Sequence, residues 1–221
     1  VSNFVSDYCR LFRNHPGLRF EGRVHEQILP AVQRLGGKAV KADIRIEHWG
    51  YAGSEARRKK RMERNLTLLL MEVRERPQDP FVRFNLGVTY HFMGRLGEAV
   101  SELEQALALG GKQMKPELVA QAHFHLAQIY LIQGKLEEAL DRALRAERLS
   151  PDNPLPLYLQ ATVYFQRGDF ERSASRLRRV MLLLVESPQG GLWRMDWAQL
   201  HLDLGNAYKA VGEFALSLIH I

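Results

Sequence analysis

The chain has 221 residues, of which 46% are hydrophobic and 25% charged, an ordinary balance for a globular protein of one large or two small domains. Its apolar runs, such as Leu68–Met71, are far too short to span a bilayer, which excludes a transmembrane helix. A single cysteine, Cys9, excludes an internal disulfide and a cysteine-based zinc site and suits a reducing, cytoplasmic setting. The net charge of +6 is uneven: residues 1–76 hold 16 Lys/Arg against 9 Asp/Glu, giving +7, and residues 77–221 hold 15 against 16, giving −1. Only the first third therefore offers positive charge to phosphates, a nucleotide or an acidic partner.

The opening VSNFVSDYCRLFRNHPG lacks an initiator Met, a basic n-region and an apolar h-region, so it reads as neither a signal peptide nor a natural start. Residues 7–24 read as strand and loop, with a turn at His15-Pro16-Gly17. A short helix is predicted over Gln27–Leu35, with Pro30 in its first turn and Gly36-Gly37 as its stop. Ala42–Trp49 alternates Ile44 and Ile46 with charged neighbours and predicts a strand. Two or three strands and one short helix do not close a core, so residues 1–56 are expected to be the C-terminal end of a larger α/β domain.

A long helix is predicted next, from Ser54 to Arg76 before Pro77, with residues 57–76 connecting the α/β segment to the C-terminal two thirds of the chain. Met62, Leu66, Leu69, Leu70 and Val73 form one apolar stripe, expected to pack on the next element. The basic run Arg57–Arg61 could serve nucleic acid or an anionic membrane, but it has no interleaved aromatics. It is read as a solvated helix end, and no nucleic-acid partner is expected.

From residue 77 one pattern recurs. FNLGVTYHFMGRLGEAVSELEQA (84–106) returns as HLAQIYLIQGKLEEALDRALRA (125–146), LQATVYFQRGDFERSASRLRRV (159–180) and DLGNAYKAVGEFA (203–215). Small residues Gly87, Ala127, Ala161 and Gly205 align at steps of 40, 34 and 44 residues. Tyr90, Tyr130, Tyr164 and Tyr208 come three positions later, then Gly94, Gly134, Gly168 and Gly212, whose left-handed geometry suits the end of a first helix. Ala99, Ala139 and Ser173 allow a close crossing by the second helix. A 34-residue helix–turn–helix period resembles tetratricopeptide repeats. The excess residues fall in the turn-rich segments ALGGKQMKP (108–116) and SPQGG (187–191).

The predicted fold is thus mainly α: about three and a half repeats over 77–215, forming an α-solenoid after the small incomplete α/β segment. The resemblance implies a concave groove for a peptide, partner domain or acceptor, lined by Phe84, Val88, His91, Phe124, Gln128, Leu131, Tyr158, Thr162 and Phe165. The alternative is that these residues pack on neighbouring repeats or on the preceding domain. The last six residues, LSLIHI (216–221), do not continue the repeat and read as a translated sequencing adapter.

A second resemblance rests on the order RLFRN, HP, LRFEGRVHEQI, IRIEHWGY, RKKRMERNLTLL and DPFVRFNLGVTY. It resembles bacterial family 2 glycosyltransferases, whose GT-A domain runs into C-terminal tetratricopeptide repeats. That resemblance implies transfer of a sugar from a nucleotide-sugar donor to an acceptor hydroxyl, assisted by a divalent metal (Mg or Mn). Glu26 is implied as the general base on the acceptor hydroxyl. Gly22, Arg23 and His25 are implied at the substrate, and His48 as a metal ligand. The Asp-x-Asp pair and the first nucleotide-binding strand are absent, so the 221 residues by themselves are not expected to bind the donor. The rival reading is a non-catalytic repeat scaffold for protein–protein interaction. In that reading Glu26 merely offsets a helix dipole and His48 is a strand residue.

Overall fold

The computed structural model describes residues 11–24, 26–40, 42, 55–110, 114–186 and 196–220. Those residues form a mainly helical, tetratricopeptide-like solenoid, without a strand among them. The strands expected within residues 7–24 reduce to one antiparallel bridge, Glu21 to Gln27. The strand expected over 42–49 lies outside the described residues. The physical reason for the missing strand character is visible nearby: Leu11, Phe12, Phe20 and Val40 are all exposed, so no second layer covers an apolar face here.

The helix expected over Gln27–Leu35 is α1 (Leu29–Arg34), with Pro30 in its first turn. Gly36 adopts φ +73°. The Gly36 and Gly37 amides then donate to the Gln33 and Val32 carbonyls, closing the helix end in a Schellman arrangement. The linking helix is α2 (Glu55–Glu75). Within its predicted stripe Leu69 is fully buried and Leu66 and Val73 pack on the core, whereas Leu70 lies on the solvent side. Arg57, Lys59 and Lys60 are exposed, as expected of a solvated helix end.

Four helix pairs come next: α3 (Pro80–Phe92) with α4 (Leu96–Gly110), α5 (Pro116–Ile132) with α6 (Leu136–Leu149), α7 (Pro154–Gln166) with α8 (Phe170–Glu186), and α9 (Trp197–Ala210) with α10 (Phe214–His220). Three of these first helices, α3, α7 and α9, start alike, whereas α5 begins after Lys115 without a side-chain cap. Asp79 accepts from the Phe81 amide at 2.9 Å, Asn153 from Leu155 at 3.0 Å and Asp196 from Ala198 at 2.9 Å. Each side chain satisfies an amide that the helix itself leaves unpaired. Pro80, Pro116 and Pro154 occupy first-turn positions where no amide hydrogen is needed.

The ends are alike as well. Gly94, Gly134, Gly168 and Gly212 hold φ between +72° and +84°. The next residue's amide donates to the carbonyl of the repeat's tyrosine at 2.9 Å in all four cases: Arg95 to Tyr90, Lys135 to Tyr130, Asp169 to Tyr164 and Glu213 to Tyr208. In three repeats a cation from just past the turn also covers the tyrosine ring: Arg95 at 4.4 Å, Lys135 at 5.7 Å and Arg172 at 5.7 Å from the centroid.

Within a pair, the small residues set the distance between helices. A Cβ on Gly87 would lie 2.7 Å from Leu103 Cγ, and Leu103 is fully buried. Ala99, Ala139 and Ser173 are buried where the second helices cross. One core runs from Val24 through α2 to α5, and another joins α7, α8 and α9. Ala127, Ala143 and Leu159 bridge them. Beyond α9 the packing thins: Phe214 is 63% exposed, while Ser217 is buried.

Gly87→Ala forces Leu103 to shift and is expected to lower unfolding free energy by about 1–3 kcal/mol in urea denaturation. Shortening Leu103 to Ala in the same chain should show a favourable coupling, so that the double variant loses less than the sum of the single losses.

Candidate functional site

Two regions carry the residues singled out by sequence. The first is a tight loop held against α2. The Glu21 and Gln27 amides each donate to the other's carbonyl at 2.9 Å, closing a five-residue loop over Gly22–Glu26. Gly22 takes φ +92°, a conformation open to glycine. Val24 points down into the core that includes Leu69, and Ile28 is buried just beyond. Glu72, only 3% exposed, lies beneath the loop. It accepts from the Arg23 amide at 3.4 Å and pairs with the Arg76 guanidinium. Arg23 itself pairs with Glu75, and Arg34 with Glu21. The Arg34 hydrogen bond holds the Glu21 carboxyl below its usual range.

Arg23 is therefore acid-paired. Glu26 is exposed on the outer side of the closed loop, beside Gly22. His25 and His48 lie outside the described residues. Among the described residues no three His, Cys, Asp or Glu side chains converge where a cation could be held, so these residues do not by themselves form the implied metal site.

The second region is the face formed by the first helices. α3 packs against α5 and α5 against α7. Of the expected groove residues, Phe84 is buried in the first core, and Val88, Phe124, Leu131 and Tyr158 pack against cores. His91, Gln128 and Thr162 are half-buried, and Phe165 is exposed. The base of this face is packing, and its rim is open. Phe92 and Ile132, one position past His91 and Leu131, are 67% and 65% exposed and extend the apolar rim.

Between α3 and α5 sits a histidine pair, with the two Nδ1 atoms 3.2 Å apart. His125 is ringed by Phe84, Phe92 and Phe124 at 5.7–6.4 Å between centroids. Burial, then the neighbouring His91, depresses the His125 pKa to about 4. Burial also lowers His91. His123 is likewise pushed down to about 4, by burial and then by Arg142, whose guanidinium also reaches Glu104 at 2.5 Å. Both rings of the pair are thus neutral at pH 7, and one Nδ1–H can donate to the other ring's lone pair.

Between α7 and α9, which meet less closely, a cleft of about 200 Å³ opens. Tyr158 and Phe165 wall it, and Ser173 and Leu177 of α8 form its floor. Asp203 accepts from the Tyr158 hydroxyl at 2.6 Å and from Gln199 Nε2 at 2.8 Å. Burial, then Asp203, drives the Tyr158 phenol above its ordinary range, so it stays a donor. The tetratricopeptide resemblance supplied Tyr158, Thr162 and Phe165. It missed His125, Asp203, Asn206 and Ser173's part in the cleft floor. The sequence signal available was Ser173 itself, a hydroxyl where the first two repeats carry Ala99 and Ala139 and the fourth carries Ser217.

The first three helix pairs, with their αL glycines and small crossing residues, coincide with two family-model matches, over residues 81–152 and 154–179, both described as tetratricopeptide repeat. These are tetratricopeptide repeats. The chain is 29% identical over 143 residues to a TPR repeat-containing protein of Synechococcus elongatus, covering 62% of this chain and 35% of that protein. It is 28% identical over 107 residues to the SPbeta prophage-derived glycosyltransferase SunS of Bacillus subtilis, covering 48% of this chain and 25% of SunS. The chain thus spans about a quarter to a third of these relatives. Among solved structures, a MamA crystal structure superposes with a TM-score of 0.60 at 17% identity, over 75% of this chain and 82% of that one. At that identity the likeness shows the fold.

Stability should fall with acid in a window set by these histidines. In the unfolded chain they take up protons near pH 6.5, while His123 and His125 resist until about pH 4. Protons thus favour the unfolded state as pH drops from about 6.5 to about 4, at up to about 1.4 kcal/mol per unit of depression. Thermal melts from pH 7.5 to 4.5 should show the midpoint falling through this window. His125→Phe, which retains a ring among Phe84, Phe92 and Phe124, should flatten the dependence.

Proposed function

We propose that this chain carries the acceptor-side end of a family 2-like glycosyltransferase domain, fused through α2 to a tetratricopeptide array that binds a protein, peptide or acceptor. The observation that carries this reading is the docking of the Gly22–Glu26 loop on α2, through Glu72, Glu75 and the burial of Val24. It joins the candidate acid to the repeats as one packed body. The similarity to SunS supports the same reading. That match covers 107 residues, so close to half of it or more lies beyond residue 56 and includes α2 or the repeats.

In this reading Glu26 takes the proton from an acceptor hydroxyl as that oxygen attacks the anomeric carbon of the donor sugar. Its exposure on a loop closed by two backbone hydrogen bonds leaves it open to an acceptor while fixing its approach. Gly22 lets a sugar come close to backbone, and His25 and Arg23 border the acceptor side. The nucleotide sugar and most metal ligands belong to parts of the full-length protein beyond the described residues, with His48 contributing one ligand. A divalent cation there would neutralise the departing diphosphate. A cytoplasmic location fits a nucleotide-sugar donor.

The second reading, a repeat scaffold without chemistry, is favoured by a different observation. The matched family models begin at residue 81, after the loop.

The two readings separate in the full-length protein. Glu26→Gln should lower turnover by about 10²–10⁴-fold while leaving nucleotide-sugar affinity unchanged, read by donor-release kinetics and calorimetry. Undiminished turnover removes Glu26 as base. A full-length reading frame without an Asp-x-Asp pair and a nucleotide-binding βαβ segment upstream leaves only the scaffold.

A further inference from the structure

We propose that the cleft between α7 and α9 is a subsite for one arginine side chain of a peptide partner. Its lining contains one acid, Asp203, and no Lys, Arg or His. None of the ion pairs among the described residues engages Asp203. Its two oxygens each receive one neutral donor, from Tyr158 and Gln199, and each retains a lone pair for a cation.

The floor makes a second, independent demand. Ser173 Oγ is buried, lines the cleft and has no hydrogen-bond partner. That oxygen is open to a donor that reaches the floor of the cleft. Next to it Leu177 offers apolar surface suited to methylenes. Tyr158 and Phe165 present aromatic walls, and Asn206 adds an amide oxygen at the rim.

An arginine matches all of these at once. Its methylenes cover Leu177, its planar guanidinium stacks on an aromatic wall, and its five N–H donors reach acceptors in several directions. A compact ammonium stacks less well and offers fewer directed donors. A glutamate would meet Asp203 as a like charge. At about 200 Å³ the cleft is smaller than the roughly 300–1,000 Å³ typical of small-molecule sites, and it suits a single large side chain. The phenol of Tyr158 remains protonated, so it adds no second negative charge and keeps Asp203 turned toward the cleft.

This inference rests on the partner-binding reading of the repeats. Its test uses the 221-residue chain, labelled with ¹⁵N, and blocked pentapeptides Ac-Gly-Gly-Xaa-Gly-Gly-NH₂ with Xaa Arg, Gln, Glu or Leu. The Arg peptide should shift the amide resonances of Thr162, Ser173 and Asn206 with millimolar affinity that weakens as salt rises. The Gln, Glu and Leu peptides should bind there at least about tenfold more weakly, a difference of about 1.4 kcal/mol. Asp203→Asn should reduce Arg binding by a similar factor, and Ser173→Ala by about two- to threefold. Tyr158→Phe removes the hydroxyl's hydrogen bond to Asp203 but spares the charge, and should keep or tighten binding. Equal binding of the Arg and Gln peptides, or full retention by Asp203→Asn, overturns the assignment. Leu-peptide binding at the cleft without Arg binding also overturns it, while leaving the partner-binding reading in place. Shifts confined to α3 and α5 do the same.

Discussion

The hydrogen bond from the amide after each αL glycine to a tyrosine carbonyl is the constraint on which the solenoid depends. It recurs at 2.9 Å in all four repeats, from Arg95, Lys135, Asp169 and Glu213. It fixes where the first helix ends and how sharply the chain reverses. The second helix then falls back on the first with Ala99, Ala139 or Ser173 at the crossing. A Cβ at the glycine would be strained by backbone geometry alone, since each φ lies between +72° and +84°. The cations over Tyr90, Tyr130 and Tyr164 shield the same turn from the outside. Once the turn is set, stacking is the outcome, because each pair buries its remaining apolar face only against a neighbour.

That constraint was legible because it is local. Tyr and Gly stand four residues apart in every repeat, and both act on backbone within one turn. The N-caps Asp79, Asn153 and Asp196 are local too, yet the sequence reading did not single them out. The groove residues were half legible. The repeat resemblance named the positions of the groove side, but it does not distinguish a residue buried in a core, such as Phe84, from one at an open rim, such as Phe92.

Contacts between repeats were not legible. His91 meets His125, and Tyr158 meets Asp203, only after neighbouring helices have taken a particular offset. The insertions that make the steps 40 and 44 residues shift any count across repeats. Glu72 shows the same limit: on a helical wheel it reads as one more acid in a charged helix. Its burial comes from a loop about fifty residues upstream that settles on it. The α/β expectation for residues 1–56 came from alternation in short segments. Alternation predicts a strand only when partner strands exist, and among the described residues a single bridge is what forms.

Val24, set into the core beside Leu69, makes the Gly22–Glu26 loop the lid on the exposed end of the repeat stack. Solenoids need such a lid, since the outer face of a terminal repeat is otherwise bare. Anything that binds the loop in its docked form therefore adds to the unfolding free energy of the nearest helices by mass action. Because coupling in a stacked array passes from neighbour to neighbour, that added stability is felt most at α2 and α3 and fades toward α9. Occupancy near Glu26 would thus be readable as graded protection from hydrogen exchange along the solenoid.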